Sequence, residues 1–264
     1  MVGRLDGEVA IVTGSTAGLG QEVAALFAAE GGRVVVTGRN EERGEAVAAD
    51  LRSRGGDVRF RRADLTDEGQ ARELVRSTEA AFGAVTVLVN NAVSPEVIAA
   101  DGKLADVPND VWHAMYHVNV LGAVWLMQEA IPAMQRSGHG SIVNVSSRTA
   151  ERASPRLAAY TASKGAMNAL ARSITLDYAR TGIRCNTVQP GYILHAERDA
   201  NLTTERRRYI EDMCLTRPPT ARDVAYAVLF FASREAECIS GVTLQVDAGS
   251  SAARARTFDY PPAD

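Results

Sequence analysis

The chain has 264 residues, of which 46% are hydrophobic and 23% are charged, and 29 Lys plus Arg against 32 Asp plus Glu give a net charge of −3. This composition excludes an intrinsically disordered chain, and the near-neutral charge argues against a dedicated nucleic-acid binder. The apolar runs are too short for a bilayer span, the first residues lack a signal-peptide core, and the three cysteines have no metal or redox spacing. We therefore expect a cytoplasmic globular protein that binds no membrane, nucleic acid or metal.

Short β-branched runs alternate with longer amphipathic segments along the chain. The pattern predicts strands over residues 8–13, 33–37, 58–62, 85–90, 141–145, 183–188 and 242–246. It predicts helices over residues 21–30, 41–54, 68–82, 109–135, 158–180 and 220–231. This alternation indicates βαβ units, and strands that are apolar on both faces indicate helices on both sides of the sheet. We expect one α/β domain over residues 1–264, a Rossmann-like doubly wound sheet of seven parallel strands.

A glycine-rich loop joins the first predicted strand to the first predicted helix, with the sequence TGSTAGLG over residues 13–20. Glycines allow a tight turn and a close approach of the backbone to a pyrophosphate, and the helix N-terminus offers N–H groups to the anion. A glycine-rich turn without a ligand is the ordinary alternative, but the position directly after the first strand favours nucleotide binding. The predicted cofactor contacts in this loop are Gly14, Ser15, Thr16, Gly18, Leu19 and Gly20.

Three further motifs follow in order: NNA at residues 90–92, YTASK at residues 160–164 and PG at residues 190–191. With the TGxxxGxG loop, they make the chain resemble the short-chain dehydrogenase/reductase family in its short, single-domain form, over residues 5–249. The resemblance implies an NAD(P)-dependent oxidoreductase that interconverts a carbonyl and a secondary alcohol by hydride transfer. It also implies a substrate lid around residues 192–219 and a helix-mediated homo-oligomer, a dimer or tetramer, while residues 252–264 form a tail.

The resemblance gives catalytic roles to four residues. Tyr160 would be the general acid or base, and Lys164, one helical turn later, would lower the pKa of the phenol and bind the nicotinamide ribose. Ser147, on the predicted fifth strand, would stabilise the reacting oxygen, with the adjacent Ser146 as the competing candidate. Asn119 would hold a water in the proton relay, whereas the sequence alone equally allows a helix-interior asparagine that bonds the backbone.

The resemblance implies further cofactor contacts after the other strands. Asp64 would accept a hydrogen bond from the adenine amino group, although an aspartate in a turn is the ordinary alternative. Val93 replaces the glycine that usually follows NNA, and His195 replaces a threonine that usually follows the PG motif. The other implied contacts are Leu65, Asn91, Ala92, Pro190, Gly191 and Ile193, together with Tyr160 and Lys164.

The choice of cofactor depends on the end of the second predicted strand. NAD-preferring relatives have an acidic residue there, whereas this chain has Gly38 followed by Arg39. A guanidinium binds a phosphate through paired, charge-assisted hydrogen bonds, so we expect NADP(H) to be favoured. NAD(H) remains usable if Arg39 stacks on the adenine or faces solvent.

Three arginines, Arg148, Arg152 and Arg156, lie between Ser147 and Tyr160. They could bind an anionic substrate or cofactor tail, and a subunit contact or plain solvent exposure is at least as good an interpretation. Two other functions compete with a small-molecule oxidoreductase. A cofactor-binding regulator or scaffold would typically lack the tyrosine or lysine, and an epimerase or dehydratase would need a longer chain with a substrate domain.

Overall fold

Seven strands form one sheet in the computed structural model, which describes residues 3–195 and 199–252. The strands are β1 (Val9–Val12), β2 (Arg33–Gly38), β3 (Val58–Arg62), β4 (Val87–Asn90), β5 (Gly140–Val145), β6 (Ile183–Pro190) and β7 (Thr243–Val246). Their order is β3-β2-β1-β4-β5-β6-β7, and every neighbouring pair is parallel. The order reverses between β1 and β4, which places a crevice at the carboxyl ends of these strands. The predicted doubly wound parallel sheet is confirmed.

Helices cover both faces of the sheet. They are α1 (Gly18–Ala29), α2 (Glu41–Ser53), α3 (Glu68–Phe82), α4 (Pro95–Ala99), α5 (Asn109–Tyr116), α6 (Gly122–Ser137), α7 (Ala158–Tyr178), α8 (Thr204–Asp212) and α9 (Ala221–Ala232). One hydrophobic core packs between the sheet and α1, α2 and α9, and a second packs between the sheet and α3, α6 and α7. Within the described part of the chain, no helix is long and apolar enough to cross a membrane. Residues 196–198 of the predicted lid and residues 253–264 of the predicted tail lie outside the described residues.

Two helix starts follow from local side-chain chemistry. The Asn40 side chain accepts a hydrogen bond from the Arg43 N–H (2.8 Å) at the start of α2. Thr220 and Asp223 form a reciprocal capping box at the start of α9. Both arrangements satisfy N–H groups that a helix leaves without an internal partner, and both were predicted from the sequence.

The predicted helix over residues 109–135 is divided by a π-helical turn, His117–Leu121, between α5 and α6. Asn119 is buried in this π-helical turn, and its side-chain nitrogen donates a hydrogen bond to Ser163 Oγ on α7 (3.0 Å). Such a turn interrupts the regular spacing only locally, so hydrophobic periodicity does not reveal it. The short helix α4 was also not predicted.

Candidate active site

The glycine loop between β1 and α1 begins the site. Gly14 and Gly18 have φ values of 61° and 56°, in the left-handed region that favours glycine. A Cβ at Gly20 would lie 2.3 Å from the Gly14 carbonyl oxygen, so this glycine lets α1 pack closely on the loop. A Cβ at Gly18 would meet no atom within 4 Å, which leaves space for a ligand. The Ala17 side chain does not cap α1, so its first N–H groups remain available to an anion.

Thr13 and Asn91 fasten the glycine loop to the segment after β4. Thr13 Oγ1 accepts hydrogen bonds from the backbone N–H groups of Asn91 (2.8 Å) and Ala92 (3.0 Å). The Asn91 side-chain amide donates to the carbonyl oxygens of Thr13 (2.8 Å) and Gly14 (3.2 Å). The Asn91 side chain therefore fixes the shape of the loop.

A groove of about 450 Å³ crosses the carboxyl end of the sheet above this loop. Ser15 is not part of its described lining, because the buried Ser15 hydroxyl donates to the Val12 carbonyl oxygen and accepts from the Thr37 N–H. Pro190, Gly191 and Ile193 also lie outside the lining that the described residues form. The predicted contacts that line the groove are Gly14, Thr16, Gly18, Leu19, Gly20, Arg39, Asp64, Leu65, Asn91 and Ala92.

One end of the groove is lined by the cations Arg39 and Arg43. The Arg39 guanidinium is 59% exposed and lies 3.7 Å from the carboxylate of Glu96, which follows β4. A Cβ at Gly38 would lie 2.7 Å from Thr16 Cγ2, so β2 and the glycine loop touch at this point. The end of β2 has no room for a side chain while Thr16 keeps its position.

Three residues with open interpretations lie in the groove. Asp64 Oδ1 accepts hydrogen bonds from the N–H (3.0 Å) and hydroxyl (2.8 Å) of Thr66, so Asp64 shapes a turn and also lines the groove. Val93 is not among the described non-glycine residues with a positive φ, so valine is unstrained there. His195 lines the groove, and its backbone N–H donates to Asp199 Oδ2 (2.8 Å).

The segment after β5 brings Ser147 to Tyr160 on α7. The Ser147 hydroxyl interacts with the phenol of Tyr160, and this interaction lowers the pKa of Tyr160. Ser147 Oγ also accepts hydrogen bonds from the N–H (3.2 Å) and hydroxyl (3.0 Å) of Thr149. Ser146 is buried and points the other way, and its hydroxyl donates to the Lys164 carbonyl oxygen (3.1 Å). Alternation along an extended backbone therefore leaves Ser147, and not Ser146, beside the phenol.

Lys164 is buried near Tyr160, with its Nζ 5.7 Å from the centre of the phenol ring. Nζ donates to the Val145 carbonyl oxygen (2.8 Å), and burial lowers the pKa of Lys164 to about 8. Burial also raises the pKa of Tyr160, and it outweighs the lowering effect of the hydrogen bond with Ser147. Lys164 is not among the causes that act on the pKa of Tyr160 here, so the prediction that Lys164 lowers this pKa stays a prediction.

Asn119 is buried in the π-helical turn beside Lys164. Its side-chain nitrogen bonds Ser163 rather than the backbone, and its Oδ1 has no hydrogen-bond partner among the described residues. Asn119 and Lys164 together line a cavity of about 10 Å³, which is the size that holds one water. An unpartnered oxygen at such a cavity fits the predicted water site.

Asp101 anchors the start of α7 and was not predicted from the sequence. Its Oδ1 accepts from the Ala159 N–H (3.2 Å), and its Oδ2 accepts from the Tyr160 N–H (2.8 Å). Leu157, which precedes α7, makes no side-chain cap, so the Asp101 carboxylate caps the helix instead. No local signal identifies such a cap, because 58 residues separate Asp101 from Ala159.

A glycine loop and a groove at the switch point of a doubly wound parallel sheet are typical of dinucleotide-binding proteins. Beside this groove lie an interacting serine–tyrosine pair and a buried lysine with a lowered pKa, and perturbed titratable groups in a cleft are typical of enzymes. The fold and the site together define the class of α/β oxidoreductases that bind a dinucleotide.

Comparisons with known proteins identify the family within this class. The family model described as short chain dehydrogenase matches residues 8–207. The chain therefore belongs to the short chain dehydrogenase family, and it is an oxidoreductase that acts on CH–OH groups.

Named relatives cover nearly the whole chain. It is 34% identical to a 7alpha-hydroxysteroid dehydrogenase of Clostridium sardiniense, over 98% of this chain and 99% of the relative. It is 37% identical to a 2-(R)-hydroxypropyl-CoM dehydrogenase of Xanthobacter autotrophicus, over 92% of this chain and 98% of the relative. A solved structure of a gluconate 5-dehydrogenase from Burkholderia cenocepacia, in complex with NADP and tartrate, is similar with a TM-score of 0.87 and 32% identity, over 95% of this chain and 97% of that one.

Proposed function

We propose that the chain is an NADP(H)-dependent oxidoreductase that interconverts a carbonyl group and a secondary alcohol. The observation that carries this proposal is the placement of Tyr160 beside Ser147 and the buried Lys164, whose Nζ lies 5.7 Å from the centre of the phenol ring. The named relatives support the reaction class, because the enzymes cited above are all dehydrogenases.

The groove has the features that a dinucleotide needs. The open space at Gly18 and the uncapped N-terminus of α1 suit a pyrophosphate. Arg39 and Arg43 suit the 2′-phosphate of NADP, the cofactor in the solved gluconate 5-dehydrogenase. Asp64 and Leu65 line the groove where the adenine would lie. The bound nicotinamide supplies the hydride for reduction or accepts it in oxidation.

Tyr160 and Ser147 act on the substrate oxygen. In reduction, Tyr160 donates its proton to that oxygen, and Ser147 donates a hydrogen bond to it as negative charge develops. A phenol whose pKa is raised by burial keeps its proton at neutral pH, so it is ready to serve as the acid. In oxidation Tyr160 must first be a base, so alkaline conditions favour that direction.

Lys164 and Asn119 provide the route by which Tyr160 regains its proton. Burial lowers the pKa of Lys164 to about 8, so its ammonium gives up a proton more readily than an exposed lysine does. The hydrogen bond to the Val145 carbonyl oxygen holds Nζ in place near the phenol. Asn119 Oδ1, at the small cavity, would hold the water that connects Lys164 to solvent.

Replacing Tyr160 with phenylalanine tests this mechanism. We expect Tyr160→Phe to keep the fold and the affinity for NADP, and to lose at least roughly 100-fold in kcat, the scale of general acid catalysis. Turnover of a panel of ketones and alcohols, followed by nicotinamide absorbance, measures the loss. Tyr178→Phe removes a phenol from the same helix and should keep full activity. Wild-type kcat in Tyr160→Phe on a confirmed substrate would contradict the assignment.

A further inference from the structure

Arg148 lies where three segments meet beside the proposed reaction centre. It directly follows Ser147 and begins a short 3-10 turn. Its guanidinium contacts Met213, in the segment that follows α8, and Ser250, in the segment that follows β7. The first of these segments belongs to the region expected to cover the substrate. Arg148 therefore places a positive charge at the junction of the segments that follow β5, α8 and β7.

The Arg148 guanidinium has only neutral partners among the described residues. Its Nη1 donates to Ser250 Oγ (3.0 Å). Its Nη1 and Nη2 also lie 3.9 and 3.8 Å from Met213 Sδ, and a thioether is a weak acceptor. The side chain is half-buried, so water does not fully replace the missing counter-charge.

Two acidic side chains in this neighbourhood are held by other donors. Asp247 accepts from the backbone N–H groups that follow it and from the Ser250 hydroxyl (3.0 Å), so one hydroxyl separates it from Arg148. Glu151 accepts from the Gln245 side-chain amide (2.8 Å). Both carboxylates stabilise their own loops, and neither forms an ion pair with Arg148.

We propose that Arg148 binds an oxyanion on the substrate, a carboxylate in the first place, and thereby selects carbonyl and alcohol substrates that carry one. This inference rests on the proposed function. A planar guanidinium binds a carboxylate through two parallel hydrogen bonds. The Ser250 hydroxyl holds Nη1, and a carboxylate bound at Nε and Nη2 would take the place of the weak contact between Nη2 and Met213 Sδ.

The position of Arg148 next to Ser147 also orients the substrate. A substrate held at its reacting oxygen by Ser147 and at its carboxylate by Arg148 is fixed at two points. Two fixed points restrict which face of the carbonyl group is presented for reaction, and they lower the entropy cost of reaching the transition state. Loss of Arg148 should therefore affect kcat/KM for anionic substrates more than for neutral ones.

Paired substrates test the inference. We would assay 2-, 3-, 4- and 5-oxo acids and their methyl esters with NADPH, using the wild type, Arg148→Gln and Arg148→Lys. We expect the wild type to prefer the acids, and Arg148→Gln to lower kcat/KM for the preferred acid roughly 10- to 100-fold, as for a charged hydrogen bond, with the ester changed little. Arg148→Lys keeps the charge but loses the planar guanidinium. Its kcat/KM for the preferred acid should lie between those of the wild type and Arg148→Gln. Arg180→Gln removes an exposed arginine that follows the C-terminal end of α7 and is the control.

A binding measurement keeps the test independent of turnover. Malonate, at constant ionic strength, should raise the melting temperature of the wild type and not that of Arg148→Gln. Equal losses for acid and ester, or an equal malonate shift in both proteins, would overturn the role of Arg148. Reduction of neutral ketones without any preference for acids would overturn it while leaving the proposed function standing. Absence of any NADP(H)-dependent turnover would overturn the proposed function, and the malonate shift would still decide whether Arg148 binds a carboxylate.

Discussion

At the scale of single residues, Arg39 should decide the cofactor. We expect Arg39→Ala to weaken NADP binding by roughly tenfold and to change NAD binding much less, because one charged hydrogen bond to the 2′-phosphate is lost. We expect no larger loss of NADP affinity than this, since the Arg39 side chain is 59% exposed and its charge is screened by water. Titration of both cofactors by calorimetry measures the two affinities.

Glu96 and Arg54 provide the matched variants for this prediction. Glu96→Gln removes the carboxylate 3.7 Å from Arg39, so NADP should bind more tightly to it than to the wild type. Arg54→Ala removes an exposed arginine that pairs with Asp50 on α2, and it should leave both affinities unchanged. Equal losses for NADP and NAD in Arg39→Ala, or a wild-type preference for NAD, would reject the NADP assignment.

Lys164 should reduce the stability of the fold at neutral pH. Burial lowers its pKa to about 8 from 10.5, so between these values the unfolded chain binds more protons than the folded one, and stability rises with pH. Below pH 8 the lysine is charged in both the folded and the unfolded chain, so the full cost of burying this charge lowers the free energy of unfolding. We expect Lys164→Met to be about 1–3 kcal/mol more stable than the wild type at pH 7, after the loss of the hydrogen bond to Val145. Urea unfolding at pH 7 and at pH 10 measures the difference.

The pH dependence is the decisive part of that prediction. The stability advantage of Lys164→Met should shrink as the pH rises from 8 to 10.5, because the wild type then carries a neutral amine. Lys103→Met, which replaces an exposed lysine on a loop, should show no such trend. A variant that is less stable than the wild type at pH 7 would mean that Lys164 stabilises the fold.

The sequence predicted the candidate reacting groups in more detail than their surroundings. Tyr160 and Lys164 lie one turn apart on a helix and Ser147 follows a strand, and the family resemblance together with this spacing selected them. The raised pKa of Tyr160 was not predictable, because burial depends on packing that spacing does not describe. Ser15 was predicted as a cofactor contact from its place in the loop, and its inward rotation appears only in three dimensions.

At the scale of elements, the start of α7 depends on Asp101. We expect Asp101→Ala to destabilise the fold by about 1–2 kcal/mol, as the loss of a helix cap does. Because the carboxylate bonds the N–H of Tyr160 itself, kcat should also fall, while NADP affinity should change little. Thermal unfolding, steady-state kinetics and cofactor titration measure the three effects.

Asp110 provides the control for Asp101. Its carboxylate also bonds an N–H group near a helix start, that of Val111 in α5, but it does not contact α7. Asp110→Ala can lower stability slightly and should leave kcat unchanged. An Asp101→Ala variant with wild-type kcat would show that Tyr160 is positioned by other contacts.

The order of the elements followed from periodicity, because each strand and most helices bury a face that the sequence pattern reports. Elements that depend on contacts between residues far apart in the sequence were not predicted from periodicity. The π-helical turn at His117–Leu121 serves a hydrogen bond from Asn119 to Ser163, 44 residues away. The short helix α4 buries no residue, so its sequence carries no hydrophobic signal.

At the scale of the whole molecule, we expect self-association through α7 and the neighbouring segment over residues 109–135, which forms α5, the π-helical turn and most of α6. Leu176 on α7 is 81% exposed, so its burial in a subunit interface would remove apolar surface from water. Light scattering at micromolar concentration should give a mass above the 28.2 kDa of one chain, and Leu176→Lys should lower it. A monomeric wild type would contradict this expectation.

The edges of the sheet are a second candidate for the subunit contact, and light scattering tests them in the same way. The edge strand β3 carries the exposed Arg59 and Arg61, which discourage pairing with another strand, whereas the edge strand β7 exposes Leu244. Leu244→Lys would charge this edge and leave α7 intact. If Leu244→Lys gives monomers and Leu176→Lys does not, the contact involves the sheet edge instead of the helices.

The contact between Gly38 and Thr16 constrains how this lineage can change over evolutionary time. An acidic side chain at position 38, as in NAD-preferring relatives, would meet Thr16 Cγ2 at 2.7 Å from its Cβ. A smaller residue at position 16 makes room for a side chain but gains nothing while position 38 is glycine. Each substitution is therefore unfavourable or neutral alone, and only the pair is useful. The two positions should vary together among descendants, so the acidic residue of NAD-preferring relatives can enter position 38 only together with a change at position 16.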